Sequence, residues 1–234
     1  MDAPFGRIVT AMVTPFGEDG AIDLDEARRL ASHLVAHGSD GIVVAGTTGE
    51  APTLDDEEKL LLLEAVLEAV GDEARVICGT GSNDTSHSVH LSRAAAERGA
   101  HGLLVVTPYY NKPPAEGIYR HFAAIAAAAP GVPIVAYNIP QRVVINMPPA
   151  VISRLATIDE VVAVKQATTD LEEARHIVEE TRLALYAGND DLLLPFAELG
   201  GVGGIHVASH VAGSEMREVQ LAAEAGVVER ARAL

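Results

Sequence analysis

Eight short apolar segments, each followed by a segment with helical character, run through nearly all of the 234-residue chain. The apolar segments are rich in Val, Ile, Ala and Gly and lack regular polar alternation, which is typical of parallel strands buried on both faces. We predict strands at residues 7–13, 40–45, 75–79, 102–107, 133–139, 161–165, 184–187 and 203–208.

The segments between the predicted strands carry helix signals, such as apolar residues on one face, acidic first turns and opening prolines. A leucine-rich helix opens with residues 54–58, four of which are acidic. The other helices are predicted at residues 25–37, 85–98, 114–129, 148–156, 170–182, 191–199 and 214–225. Residues 227–234 also read as helix, so the chain is expected to finish inside an element.

The repeated strand and helix units predict an α/β fold with a parallel sheet. Eight such units close most naturally into a (β/α)8 TIM barrel, which typically needs about 250 residues. We therefore expect one TIM-barrel catalytic domain over residues 1–234. A doubly wound open sheet is the alternative, but no G-x-G-x-x-G fingerprint for a dinucleotide follows the first strand.

Composition excludes several classes of protein. The formal charge of −16, from 17 Lys and Arg against 33 Asp and Glu, argues against nucleic-acid binding. The single cysteine, Cys78, rules out an internal disulfide framework and fits a reducing compartment. No apolar run approaches membrane-spanning length. We expect a cytoplasmic protein that binds neither membrane nor nucleic acid.

Lys165 ends the sixth predicted strand, after four residues that are all Val or Ala. A regular pleat would place Val161, Ala163 and Lys165 on one face, with the amine at the carboxyl end of the strand, where α/β barrels keep their active sites. An amine kept from water loses stabilisation of its charged form, and its neutral form attacks carbonyl groups to give a Schiff base. The alternative is a lysine that extends to solvent.

The loops that follow the strands share one rim of a barrel, so their residues can converge. Thr47 and Thr48 lie in a GTTGE segment after strand two, where hydroxyl and N–H groups suit a carboxylate. Arg142 ends a YNIPQR segment after strand five, and its guanidinium also suits a carboxylate. The phenols of the TPYYN segment, residues 107–111, are either interface packing or proton carriers.

These segments, together with the VKQAT segment at residues 164–168, resemble the dihydrodipicolinate synthase family. That family lies within the wider group of pyruvate-dependent class I aldolases that includes N-acetylneuraminate lyase. The resemblance runs from residue 7 to about residue 225. It implies a lyase that condenses pyruvate with L-aspartate-4-semialdehyde in lysine and diaminopimelate biosynthesis. It also implies a homodimer or homotetramer and no bound cofactor.

The resemblance implies four catalytic residues. Lys165 would form the Schiff base with pyruvate, and Tyr137 would take and return protons. Thr47 would link Tyr137 to Tyr110, which in the family reaches into the active site of the neighbouring subunit. These groups would move protons without a metal, and no H-E-x-x-H or comparable ligand spacing occurs among the histidines.

The resemblance also implies four substrate-binding residues. Thr48 would hold the pyruvate carboxylate beside Thr47, and Arg142 would bind the carboxylate of the second substrate. Backbone contacts would come from Ile205 and from Gly188. Arg142 favours the synthase, because the related sugar-acid lyases generally lack this arginine.

The sequence departs from the family pattern in three respects. Family members continue with helices beyond the barrel, so we expect this C-terminal extension to be absent and oligomer assembly to be affected. His206 stands where the family usually has serine, and it either retunes the site or is a packed histidine. Five positions correspond to the lysine effector pocket of inhibited members, and their residues predict weak or absent inhibition: Ala51, Pro52, Asp56, Lys59 and His87.

Two alternative functions remain at this stage. One is a sibling pyruvate aldolase that acts on a sugar acid or a hydroxy-oxo acid. The other is a truncated barrel that binds pyruvate without turnover, because each site would lack Tyr110 from its neighbour.

Overall fold

Eight parallel strands close into a barrel in chain order in the computed structural model, which describes residues 2–234. The strands are β1 (Ile8–Ala11), β2 (Gly41–Val44), β3 (Arg75–Gly79), β4 (Gly102–Val106), β5 (Ile134–Asn138), β6 (Val161–Gln166), β7 (Ala184–Ala187) and β8 (Gly203–His206). The predicted α/β class and TIM-barrel fold are confirmed.

Helices connect successive strands. They are α1 (Leu24–Ala36), α2 (Asp56–Val70), α3 (Thr85–Glu97), α4 (Ala115–Ala128), α5 (Pro140–Val143), α6 (Pro149–Leu155), α7 (Leu171–Glu180), α8 (Leu193–Glu198), α9 (Ser209–Glu224) and α10 (Val228–Ala233). Short 3-10 helices precede α2 and α8, at Ala51–Thr53 and Asp190–Leu192. None of the helices in the described residues is long and apolar enough to cross a membrane.

The acidic start predicted for α2 is a capping box. The Asp55 side chain accepts a hydrogen bond from the Glu58 backbone N–H, and the Glu58 side chain accepts one from the Asp55 backbone N–H. Such reciprocal bonds satisfy two backbone donors that a helix start otherwise leaves unpaired.

The helix prediction missed one helix and misplaced the start of another. The short helix α5 was not predicted, because four residues are too few to show a helical period. Helix α9 begins at Ser209 and not at residue 214, with a non-helical break at Ala212, where φ is −137°. The glycine at position 213 made the residues before it look like a loop.

The strands bury both of their faces. Residues that point into the barrel form one apolar cluster, which includes Val9, Val43, Ile77, Leu104, Val135, Ala163 and Ile205. Alternate residues pack against the surrounding helices and include Ile42, Val44, Val76, Leu103, Ala136, Val164 and Leu185. This double burial explains why the strand sequences show no polar alternation.

The prediction that Val161 shares a face with Lys165 was wrong. The register of β5 and β6 pairs Ile134 with Val161 but Val135 with Ala163, so β6 carries one extra residue there. Val161 consequently packs in the outer cluster, while Ala163 points into the barrel. This bulge restarts the alternation and sets the inward direction of Lys165.

The N-terminal segment closes the barrel end opposite the site. The Tyr186 hydroxyl accepts a hydrogen bond from the Phe5 backbone N–H at 3.1 Å and donates one to the Gly6 carbonyl at 3.0 Å. Phe5 itself is fully buried. The open end is therefore the one that carries the carboxyl ends of the strands.

Candidate active site

Lys165 lies at the carboxyl end of β6 and is 5% exposed. Its Nζ atom is 4.3 Å from the centroid of the Tyr137 ring. Burial lowers the pKa of Lys165 to about 8, with the Asp190 carboxylate opposing the decrease and the Arg142 guanidinium adding to it. A substantial fraction of this amine is therefore neutral at mildly alkaline pH.

Tyr137 occupies the register position of β5 opposite Lys165 and is 4% exposed. Burial raises the pKa of Tyr137 to about 12, while the charge of Arg142 and the nearby Thr47 hydroxyl oppose the increase. The phenol therefore stays protonated across the physiological range, beside an amine that loses its proton near pH 8.

Arg142 is placed by α5, directly after β5. Pro140 opens this helix with the φ that a first helical turn requires, and Val143 is buried beneath it. Val144 ends the helix in the left-handed region, with a φ of +72°. This tight turn directs the Arg142 side chain toward the site, where its charge affects both Lys165 and Tyr137.

Thr47 and Thr48 lie in a sharp turn after β2. Ala45 and Glu50 on either side have φ values of +50° and +57°. Gly49 approaches the neighbouring backbone so closely that a Cβ atom there would lie 2.9 Å from the Met12 carbonyl oxygen. The turn exposes the Thr47 side chain at the mouth of the barrel.

A cavity of about 710 Å³ extends from this mouth. Three of the predicted site residues, Thr47, Tyr137 and Arg142, contribute to its lining, together with Tyr109. The five positions predicted to correspond to an effector pocket line the same cavity: Ala51, Pro52, Asp56, Lys59 and His87. The structure thus joins the two regions in one continuous space.

Asp56 connects two basic side chains in that cavity. Its Oδ1 atom lies 3.4 Å from the Lys59 Nζ and 2.8 Å from the His87 Nε2. Burial favours the neutral form of the Asp56 carboxyl, but the His87 hydrogen bond and the Lys59 charge outweigh it and lower its pKa. Lys59 is buried at 8% exposure, so a cationic ligand would meet a fixed positive charge here.

Lys165 and the remaining predicted site residues do not contribute to this cavity lining. Tyr110 is 85% exposed and adopts a φ of +65°, with its side chain outside the site of its own chain. Thr48 is half-buried in the β2 turn, and Gly188 follows β7. Ile205 is fully buried in the barrel interior.

His206 is fully buried and faces Asp190, with 3.2 Å between its Nδ1 and the Asp190 Oδ1. The same carboxylate oxygen accepts hydrogen bonds from the backbone N–H groups of Val207 and Ala208. The close approach of the His206 ring is the main cause that lowers the pKa of Asp190 to about 2. Burial lowers the pKa of His206. His206 is thus a packed histidine that also contacts the carboxylate acting on Lys165.

Sequence reasoning missed a closed set of four polar side chains next to the site, which we name the polar ring: Asn138, Asn146, Gln166 and Glu173. A signal was present, because Asn138 and Gln166 directly follow Tyr137 and Lys165 on strands whose other residues are mostly apolar. Buried polar side chains of this kind require hydrogen-bond partners.

Comparison with known proteins identifies the family. The model of the Dihydrodipicolinate synthetase family matches residues 4–234. The chain belongs to this family. The resemblance seen in the sequence motifs is therefore confirmed.

Members of the family are similar over nearly the whole chain. A 4-hydroxy-tetrahydrodipicolinate synthase of Moorella thermoacetica is 53% identical over 98% of this chain and 79% of its own length. The second such synthase of Streptomyces coelicolor is 52% identical over 97% of this chain and 76% of its own. The crystal structure of the Cyanidioschyzon merolae dihydrodipicolinate synthase with lysine bound has a TM-score of 0.94 and 43% identity, covering 98% of this chain and 80% of that one.

Proposed function

We propose that this dihydrodipicolinate synthetase family member is a lyase that condenses pyruvate with L-aspartate-4-semialdehyde to 4-hydroxy-tetrahydrodipicolinate. The observation that carries the proposal is the buried Lys165 amine, with a pKa of about 8 and its Nζ 4.3 Å from the Tyr137 ring centroid. Relatives that carry this enzyme name, at about 50% identity, support the same reaction.

In the first step, the neutral Lys165 amine attacks the keto carbon of pyruvate. The keto oxygen leaves as water after it has gained two protons, and a protonated imine remains on Lys165. The hydroxyl and N–H groups of Thr47 and Thr48 hold the pyruvate carboxylate. The reaction needs no bound cofactor, because the imine itself withdraws electrons from the neighbouring methyl carbon.

In the second step, the methyl carbon loses a proton and becomes an enamine nucleophile. Tyr137 accepts this proton as a phenolate. The positive charge of the neighbouring imine favours this ionised form of the phenol. The enamine carbon then attacks the aldehyde carbon of the second substrate, and the new alkoxide takes a proton through the same phenol. One carbon–carbon bond forms, and no redox change occurs.

Arg142 orients the second substrate by its carboxylate. A guanidinium presents parallel N–H donors that match both carboxylate oxygens, so it fixes direction as well as position. The amino group of this substrate then attacks the imine carbon and displaces Lys165, which closes the ring and regenerates the free amine. Ile205 and Gly188 provide backbone contacts to the bound molecules.

We further propose a cytoplasmic homodimer or homotetramer in which Tyr110 completes the site of a neighbouring subunit. The 85% exposure of Tyr110 supports this role, because the side chain is free to enter a second copy. The hydrogen-bonded order would then be Tyr137, Thr47 and the Tyr110 of the neighbour.

The test is reduction with borohydride in the presence of pyruvate, followed by peptide mass mapping. We expect stable labelling of the Lys165 peptide and none in Lys165→Met. Lys59→Met is the matched control, since Lys59 is also a buried lysine, lies in the neighbouring cavity and should leave the label in place. An unlabelled Lys165 peptide would rule out Schiff-base catalysis.

Substrate choice is tested by steady-state turnover with a panel of aldehydes. We expect L-aspartate-4-semialdehyde to give the highest kcat/KM and Arg142→Gln to reduce it by about 10²-fold, mainly through the KM of this substrate. Turnover of a sugar-derived aldehyde in its place would assign a sibling aldolase. Labelling without turnover of any aldehyde would assign a pyruvate-binding barrel.

A further inference from the structure

The polar ring joins the strand ends that carry the site to the loop after α5 and to helix α7. Asn138 Nδ2 donates to Asn146 Oδ1 at 2.6 Å and to Gln166 Oε1 at 3.0 Å. Gln166 Nε2 donates to Glu173 Oε2 at 2.9 Å, and Asn146 Nδ2 donates to Glu173 Oε1. The four contacts form a closed circuit with one carboxylate and three amides.

The carboxylate fixes the direction of every hydrogen bond in the ring. Glu173 only accepts, so Asn146 and Gln166 must both turn their NH₂ groups toward it. Their oxygens are then left for Asn138, which must present its own NH₂ to both. The Asn138 oxygen consequently remains for the Met147 backbone N–H, which donates to it at 3.1 Å. One set of amide orientations satisfies all of these contacts.

The ring sits directly behind the catalytic pair. Asn138 and Gln166 are register partners, one residue beyond the partners Tyr137 and Lys165. Both ring side chains are fully buried. Because successive strand residues point to opposite faces, the ring lies outside the barrel while the amine and phenol lie inside. A displacement of either ring amide therefore moves the adjacent catalytic residue.

We infer that the polar ring is a positioning device that holds Lys165 against Tyr137 and anchors the segment after α5, the helix that carries Arg142. Asn146 and Met147 follow α5, so their hydrogen bonds to the ring restrain the segment that begins with Arg142. None of the four ring residues needs to touch substrate for this role. The inference rests on the proposed function, since it assigns the ring to the Schiff-base step of Lys165.

The charge pattern of the ring supplies a direct test. In Glu173→Gln, the new amide must present its NH₂ group to the NH₂ group of either Asn146 or Gln166, so two donors face each other. Flipping the amide of that partner removes this clash but places its NH₂ group against the Asn138 NH₂ group. In Gln166→Glu, two carboxylates face each other. The double variant Gln166→Glu/Glu173→Gln restores a donor for every acceptor, with the negative charge moved from α7 to β6.

The measured quantity is the maximal rate of borohydride trapping at saturating pyruvate, on protein shown to be folded by its unfolding curve. We expect each single variant to lower this rate by about 10- to 100-fold, as displacement of a reacting group by about 1 Å does. The pyruvate concentration for half-maximal trapping should change much less. We expect the double variant to recover to within about threefold of the wild-type rate.

Gln220 and Glu224 of α9 provide matched controls. Gln220 is also a fully buried glutamine and donates to the Glu224 side chain at 3.1 Å, away from the strand ends of the site. Gln220→Glu and Glu224→Gln should lower stability and leave the trapping rate unchanged. These control variants distinguish the general effect of losing a buried amide contact from the specific effect of displacing a catalytic residue.

Wild-type protein without label at Lys165 would overturn the proposed function. Labelled wild type with single ring variants that trap at the wild-type rate would overturn the positioning role alone, whatever their stability. Single variants that are slow and are not rescued by the double variant would overturn the donor and acceptor pattern of the ring. Slow single variants with a rescued double variant would support the inference.

Discussion

Lys165 and Tyr137 face each other across β6 and β5, with 4.3 Å between the amine nitrogen and the centroid of the phenol ring. Burial acts on both groups by disfavouring their charged forms, so it moves their pKa values in opposite directions. The pKa of Lys165 falls to about 8 and that of Tyr137 rises to about 12. The pair therefore combines a neutral nucleophile with a protonated phenol over several pH units.

The pH dependence of pyruvate trapping should follow the Lys165 amine. The trapping rate should rise with pH to a plateau, with a midpoint near the Lys165 pKa of about 8. Arg142 lowers this pKa and Asp190 raises it. Arg142→Gln should therefore shift the midpoint to higher pH and Asp190→Asn to lower pH, each by less than about one unit.

Asp191→Asn is the control for this pair of variants, since Asp191 is the exposed neighbour of Asp190. It should leave the midpoint unchanged. Pyruvate-only trapping keeps the second substrate out of the measurement, so a role of Arg142 in binding that substrate does not interfere. Shifts of equal sign in Arg142→Gln and Asp190→Asn would contradict this electrostatic account.

Removing the buried amine should stabilise the fold. One pKa unit corresponds to about 1.4 kcal/mol, so a decrease from 10.5 to about 8 destabilises the folded state by about 3 kcal/mol at neutral pH. Lys165→Met should raise the free energy of unfolding by a similar amount while abolishing trapping. Chemical denaturation at neutral pH measures the difference.

The lowered pKa of Lys165 also makes the folding stability depend on pH. Between about pH 8 and pH 10, the unfolded chain holds a proton on Lys165 that the folded protein has released, so wild-type stability should rise with pH through this interval. Lys165→Met should lack this contribution. If the free energy of unfolding has the same pH slope in the two proteins over this interval, the pKa of Lys165 is not lowered in the folded state.

Sequence patterns predicted the barrel well, because doubly buried strands and their helices have distinct compositions. They also placed Lys165, Tyr137 and Arg142 at strand ends, where barrel geometry brings them together. The bulge that turns Val161 outward was not predictable, since residues 161–164 are all apolar and can be buried on either face of the strand. Pairings over long sequence separation, such as Gln166 with Asn138, depend on strand register, which composition does not encode.

Free L-lysine should inhibit this protein weakly or not at all. The cavity region at α2 carries the buried Lys59 cation, and the nearby Asp56 carboxylate is already engaged by Lys59 and His87. A lysine ammonium would meet the like charge of Lys59 beside a carboxylate that is already paired. Initial rates over a lysine titration test this, and a clear sub-millimolar inhibition curve would refute it. Lys59→Gln should be at least as sensitive to lysine as wild type.

The placement of Tyr110 can be tested by mixing two variants that are each impaired. Tyr110→Phe should lower kcat, and Lys165→Met should abolish turnover. If Tyr110 acts in the site of a neighbour, refolding the two together should regain activity, because a mixed assembly contains sites with Lys165 from one subunit and Tyr110 from the other. Failure to regain activity, with mixed assemblies shown by mass, would place Tyr110 in the site of its own chain.

Gly204 and Gly203 lie side by side on β8, and a methyl group at either position would clash with a different neighbour. A Cβ atom at Gly204 would lie 1.6 Å from the His206 Nε2, whereas one at Gly203 would lie 1.9 Å from the Arg7 carbonyl oxygen. Both Gly204→Ala and Gly203→Ala should lower the free energy of unfolding by about 1–3 kcal/mol, the usual range for overpacking.

The two glycine substitutions should differ in their effect on stability when His206 is replaced by serine. In the His206→Ser background the ring that obstructs position 204 is gone, so Gly204→Ala should add little further destabilisation. Gly203→Ala should stay as destabilising as before, since the Arg7 backbone cannot retract. Denaturant unfolding of the two double-mutant cycles gives the coupling energies. Equal coupling in both cycles would mean that His206 does not occupy the space above Gly204, and its contact with Asp190 would have to be reassigned.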